Sequence, residues 1–413
     1  MSMNLKLPQG VKDFGPQQAE ELRWVEDELL EEFSRWGYKR VITPLFEYLD
    51  TITIGLGEDL KSKVMKFVDP STGDIVALRP DITPQIGRIV ATRLKGKELP
   101  LRLCYSGRIV RFEEKGSGKE REIFQAGCEL IGAGSPECDA EIIALSIQSL
   151  QKLGLKNLVL DIGHSGVLRS VFSRLGELES DFRDALRSKQ FETISKLLRK
   201  SKLDKQTTNL IIDFCNLSND KKLLIRVKEK SIFKKEITEL EKILEIVSEY
   251  NLNCDLSIDI GDIRGFNYYT GITFEIISPD ASSPLVIGGR YDSLVEKYGY
   301  SAPATGFAID MEELLSVTKQ HEENNKVHFI VTPKTLKQRK EAIQLTQRLR
   351  AGGFKVILDI MGVKKADTVG SVSSLTSYGK IIIGAGNKLK IIKSRSSVKR
   401  KFPNLEKLLK GGS

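Results

Sequence analysis

From Gln17 to Trp36 the apolar residues Leu22, Val25, Leu29, Leu30, Phe33 and Trp36 recur at steps of three and four, with acids filling most of the opposite face. That period predicts an amphipathic helix. Gly37–Leu49 then reads as a turn and an extended, β-branched stretch. Pro44 has no N–H to offer a ladder, so this stretch belongs at a sheet edge or an interface. Further strands are predicted at Asp74–Leu78, Leu101–Phe112, Phe124–Ile131 and Leu158–Ile162, between loops rich in Gly, Lys and Glu. Between residues 166 and 250 the spacing turns helical, as in Phe191–Leu198 and Ile237–Val247. Strand-like sequence returns at Asp255–Ile260, Thr273–Ile277 and Leu285–Ile287, followed by a glycine turn at Gly288–Gly289 and a helix from Tyr291. Strands and helices without a regular βαβ rhythm predict an α+β fold: an antiparallel sheet flanked by helices, with a helical insert at about 166–250.

The wholly polar stretch Gln320–Asn325 separates this pattern from a second one. A strand at His328–Val331, a helix near Leu336–Gly352 and strands at Lys355–Leu358 and Ile381–Ile383 predict a small α/β domain. The chain of 413 residues is long for one compact core, and we read it as a core domain, residues 1–325, and a C-terminal domain, residues 326–413. No internal repeat is visible, and only Lys390–Lys401 approaches low complexity.

Charge marks the same boundary. The net charge is +9, yet residues 326–413 hold 20 Lys and Arg against 4 Asp and Glu, a net +16. That leaves 44 basic against 51 acidic residues, or −7, in residues 1–325. A basic module of this kind suits RNA phosphates or an acidic partner surface; a solvated basic face is the plain alternative. No apolar run is long enough to span a bilayer and the first residues lack a signal-peptide pattern, so a cytoplasmic protein is expected. Five cysteines without a C-x-x-C spacing and only three histidines argue against a disulfide framework, a metal centre and Cys-His catalysis; no cofactor is implied.

Four segments carry chemistry that a plain core does not need. In Leu78-Arg79-Pro80-Asp81-Ile82-Thr83-Pro84-Gln85 a carboxylate and a hydroxyl stand two residues apart after a strand, suited to an ammonium group or, equally, to capping a helix. Arg108–Glu129 reads as two strands joined by the charged loop Glu113–Arg121 and carrying Arg111, Gln125 and Glu129. An arginine there suits a phosphate or carboxylate and a glutamate an imidazole or amine, while cross-strand ion pairs are the structural alternative. The run Asp262-Ile263-Arg264-Gly265-Phe266-Asn267-Tyr268-Tyr269-Thr270-Gly271 places paired tyrosines between glycines. On an extended segment one tyrosine would line a pocket while the other packs behind it. Gly288-Gly289-Arg290-Tyr291-Asp292 leads on to Gly306–Leu314, a strand running into a helix.

In this order and at these separations the segments resemble the class II aminoacyl-tRNA synthetase core, specifically histidyl-tRNA synthetase, over nearly all of residues 8–316, with Ile42–Phe46 similar to its first motif. The resemblance implies a histidine pocket at Asp81, Thr83, Arg111, Gln125, Glu129, Arg264, Tyr268 and Tyr269, and self-association through the first-motif region. Three departures stand out. Where the third motif brings an arginine to the ATP phosphates after a glutamate, this chain has Glu312 followed by Glu313. Asp81 replaces a glutamate, and Asn267 replaces a residue that is usually acidic. With Asp161-Ile162-Gly163-His164, these substitutions resemble the regulatory subunits of short-form ATP phosphoribosyltransferase. That resemblance implies a non-catalytic chain that partners a short catalytic subunit in the first step of histidine biosynthesis, with L-histidine as effector. An active histidyl-tRNA synthetase and an inactive synthetase-like RNA-binding or sensor protein are the alternatives.

Overall fold

The computed structural model describes residues 5–112, 120–201, 203–216, 233–259, 268–318, 327–359, 376–383 and 388–393. Its strands are, in chain order, β1 Lys39–Arg40, β2 Phe46–Tyr48, β3 Lys66–Val68, β4 Ile75–Leu78, β5 Leu101–Val110, β6 Glu122–Ile131, β7 Leu158–His164, β8 Cys254–Ile258, β9 Ile272–Ile277, β10 Val286–Arg290, β11 Ala304–Asp310, β12 Val327–Pro333, β13 Val356–Leu358, β14 Thr376–Ile383 and β15 Leu389–Lys393. The chain divides into two compact units, Met1–Lys319 and Gln320–Ser413.

The first unit is built on an eight-stranded sheet of order β1-β5-β6-β11-β10-β9-β7-β8. Its six inner strands pair antiparallel, as expected, but both edge strands pair parallel with their neighbours, β1 with β5 and β8 with β7. The sheet is therefore mixed. Parallel neighbours need a crossover connection, and between β7 and β8 the insert supplies it. The insert holds the helices Ser165–Leu175, Glu179–Arg187, Phe191–Lys200, Lys205–Asn216 and Lys234–Glu249.

Two further helices, Thr83–Thr92 and Pro136–Lys152, go beyond the elements expected from the sequence. Ten of the seventeen residues of Pro136–Lys152 are buried, so its apolar positions run around the helix and leave no polar stripe to reveal the period. Gly288 and Gly289 do not form a turn but lie within β10, and the helix expected from Tyr291 is only Ser293–Glu296. A side chain at Gly288 would meet the Phe274 ring at 2.5 Å and the Gly306 carbonyl oxygen at 2.7 Å, so close strand packing explains this glycine.

Alternation along β6 positions the site. Ala126, Cys128 and Leu130 enter the larger core, with the Pro16–Arg35 and Pro136–Lys152 helices. Gln125, Gly127 and Glu129 therefore face the other side, where Ile82, Ile86, Val90, Tyr105 and Tyr291 form a second apolar cluster. A separate three-stranded sheet, β2-β4-β3, leaves Phe46, Tyr48, Phe67 and Val68 exposed in the same unit, and Ile42, in the stretch before β2, is exposed as well.

In the second unit the order is β13-β12-β14-β15, parallel except for β14 with β15. Ala342, Leu345 and Leu349 of the Arg339–Ala351 helix pack on Phe329, Val331 and Ile381. Among the described residues no helix is long and apolar enough to cross a membrane.

Candidate functional site

The expected pocket residues converge. Asp81, Thr83, Arg111, Gln125, Glu129, Tyr268 and Tyr269 line one cavity of about 290 Å³ in the first unit. Arg264 lies outside the described residues, as do Asn267 and most of the Glu113–Arg121 loop.

Glu129 sits at the centre. It is buried on β6, directly opposite Gly306 of β11, where a β-carbon would collide with its carboxylate. Thr83 donates its hydroxyl hydrogen bond to Oε1 at 2.7 Å, and the Tyr291 hydroxyl donates to Oε2. Burial pushes the Glu129 carboxyl up to about 8, against the lowering effect of these two hydrogen bonds. Tyr291 belongs to the fourth segment, where sequence alone gives it no role. It is 162 residues from Glu129 along the chain, and only pairing of β6 with β11 and of β11 with β10 brings them together.

Asp81 stands just before the Thr83–Thr92 helix and faces Arg111. Its Oδ1 accepts from the Thr83 backbone N–H at 3.1 Å, at the start of the Thr83–Thr92 helix, and its Oδ2 is 4.0 Å from Arg111 Nη2. Arg111 Nε donates to the Pro80 carbonyl at 2.8 Å, which aims its guanidinium along the cavity wall. Across the hairpin, Arg108 pairs with Glu122 at 3.3 Å, so the structural reading of this segment also holds on its outer positions.

The two tyrosines do not face opposite sides. Both line the cavity, with ring centroids 5.2 Å apart and edge to face, and Tyr268 also lies 5.3 Å from Tyr291. Residues 268–270 form a bend rather than a strand, so alternation does not apply. The Tyr268 hydroxyl and Gln125 Oε1 are buried without a hydrogen-bond partner among the described residues. Together with the acids and Arg111, they suit a small ligand carrying an aromatic ring, a cationic nitrogen and a carboxylate.

Glu313 lies elsewhere, in the first turn of the Met311–Val317 helix that Asp310 caps through the backbone N–H groups of Glu312 and Glu313. Its carboxylate accepts from Ser282 N at 2.5 Å, Ser282 Oγ at 2.9 Å and Ser283 N at 3.0 Å. Beside it Glu312 is paired with Lys12.

The sheet and cavity define a core of the class II aminoacyl-tRNA synthetase type, and the histidyl-tRNA synthetase family model matches residues 10–314. The chain is 35% identical to the ATP phosphoribosyltransferase regulatory subunit of Geobacter sulfurreducens, covering 92% of this chain and 88% of that one. It is 34% identical to the regulatory subunit of Caldanaerobacter subterraneus, covering 91% and 98%. A solved Bacillus halodurans structure described as an ATP phosphoribosyltransferase regulatory subunit/histidyl-tRNA synthetase superposes with a TM-score of 0.80 at 27% identity, over 92% of this chain and 99% of that one. The chain belongs to the family of ATP phosphoribosyltransferase regulatory subunits, which shares the histidyl-tRNA synthetase fold.

Proposed function

We propose that this chain is a non-catalytic regulatory subunit that binds a short-form ATP phosphoribosyltransferase catalytic chain, supports the joining of ATP to phosphoribosyl pyrophosphate, and binds L-histidine as the effector that lowers activity. The observation that carries this reading is one cavity gathering Asp81, Thr83, Arg111, Gln125, Glu129 and the tyrosine pair, together with an acid, Glu313, where the synthetase resemblance puts the ATP-binding arginine. Mixing the purified chain with the short catalytic subunit from the same cell should give a stable complex and a gain in rate. Neither a complex nor a gain would end the proposal.

Feedback requires two states with different histidine affinity, so histidine should bind the complex and lower its rate in the same concentration range. Binding without any change in rate would leave the subunit an activator alone.

The exposed apolar residues on the β2-β4-β3 sheet support self-association. Phe46 and Phe67 stand 5.9 Å apart with their rings edge to face, and Ile42 is 82% exposed. Exposed large apolar residues grouped around such a contact favour a partner surface. Phe46→Glu should weaken the dimer at least tenfold, roughly the effect of removing one aromatic anchor from an interface; sedimentation velocity reads this as a shift to monomer. An unchanged sedimentation profile would place the interface elsewhere.

A further inference from the structure

The two edge strands of the eight-stranded sheet are built differently. At one edge β1 is two residues long, and both of them, Lys39 and Arg40, are exposed cations, a combination that keeps a sheet edge from pairing with other chains. At the other edge β8 runs five residues, Cys254–Ile258, and carries no cation. Its outer side is open. The Asp259 N–H donates to the Ile162 carbonyl of β7 at 3.0 Å, so with a period of two Asp255 and Ser257 also turn their N–H groups toward β7. Leu256, between them, turns its N–H and C=O outward, where neither meets a backbone partner among the described residues.

A groove of about 790 Å³ lies along this edge. Leu160 and Leu256 line it from the sheet, Ile147 from the Pro136–Lys152 helix, and Leu244 and Val247 from the Lys234–Glu249 helix. Its charged lining residues are Glu241, Glu245 and Asp255, three acids and no base. Glu245 and Asp255 are exposed and form no ion pair among the described residues.

These features narrow the occupant. None of the buried polar atoms left unpartnered among the described residues belongs to the lining, so nothing converges on a small polar ligand. A second copy paired edge to edge would set the acids against their own copies, and like charges facing each other across a strand pair are destabilising. An open strand edge beside an apolar groove with an acidic rim instead fits an extended segment of another protein, apolar at alternate positions and basic between them.

We propose that β8 is the docking edge for an extended, basic segment of the catalytic chain, which adds to the sheet as a further strand, places apolar side chains in the groove and sets basic ones against Glu241, Glu245 and Asp255. The identity of the partner rests on the regulatory reading; the edge and its chemistry do not.

Hydrogen exchange on the complex of the full chain with the short catalytic subunit tests the strand. Binding should slow exchange of the Leu256 amide at least about tenfold, because its outward N–H gains a backbone acceptor. The double variant Glu245→Lys, Asp255→Lys changes only exposed side chains. It should bind the catalytic subunit at least about tenfold more weakly, with a smaller dependence on salt, and keep the native affinity for histidine. No protection of Leu256 and no loss of affinity in the variant, while the native chain still forms the complex, overturn the docking edge and leave the regulatory reading standing. Weaker binding of the variant without protection of Leu256 overturns strand addition. A native chain that forms no complex ends the regulatory reading and this inference with it.

Discussion

Supplied with histidine and ATP, the purified chain should exchange pyrophosphate into ATP at less than about a thousandth of the rate of a histidyl-tRNA synthetase. Where the synthetase resemblance puts the arginine that meets the ATP phosphates stands Glu313, and its carboxylate accepts hydrogen bonds from Ser282 and Ser283. Burial pushes the Glu313 carboxyl up, but these hydrogen bonds outweigh it and hold the group below the usual carboxylate range, so it stays anionic at neutral pH. A unit charge about 4 Å from a phosphate is worth roughly 4 kcal/mol at an effective dielectric near 20. At roughly 1.4 kcal/mol per tenfold in rate, losing the favourable charge alone removes about three orders of magnitude, and the opposite charge adds to the loss. Because Ser282 and Ser283 pin the carboxylate, a side-chain swing does not relieve the repulsion. Exchange at a synthetase-like rate would show that this chain activates histidine and would overturn the regulatory reading.

Glu129→Gln should weaken histidine binding about a hundredfold, the loss expected when a buried ionic hydrogen bond becomes a neutral one. The pH dependence gives a sharper test. With its carboxyl raised to about 8, Glu129 is mainly protonated at neutral pH in the free chain. The ligand's ammonium group beside it, already protonated in solution, favours the ionised form, so binding should release protons near pH 7 and strengthen as pH rises toward about 8. Calorimetry in buffers of different ionisation enthalpy measures that release directly. No proton release, with affinity flat across this range, would remove Glu129 from the ammonium group's contacts. Stability is linked to the same proton. The folded value lies above the ordinary 4.5, so the group's favourable contribution is complete below about 4.5 and is lost as pH rises through about 8. Thermal melts of Glu129→Gln should therefore vary less with pH over that window than those of the native chain.

Elements with one solvated face were legible in the sequence. The Pro16–Arg35 helix shows its period because Leu22, Val25, Leu29 and Phe33 are buried while the other face is wet. Pro136–Lys152 hides its period because most of its surface is covered. The edge strands were legible as strands, but their parallel pairing was not, because direction depends on where the intervening chain, which for β8 is the insert, delivers the strand. Gly288 and Gly289 carry the composition of a turn; the Phe274 ring and neighbouring backbone that demand small residues there come from other strands.

For the site, the sequence by itself determined the chemical inventory: Asp81, Thr83, Arg111, Gln125, Glu129 and the tyrosine pair at spacings that match a known core, and an acid at residue 313. Only the tertiary structure decided what those groups do to one another. Tyr291 reaches Glu129, both tyrosines turn to the same cavity, and Glu313 bonds to Ser282 and Ser283. The protonation of Glu129 follows from burial, and burial is produced by strands far apart in the chain closing over it. Residue identity sets which proton is available; the exclusion of water, a property of the packed sheet, sets the pH at which it leaves.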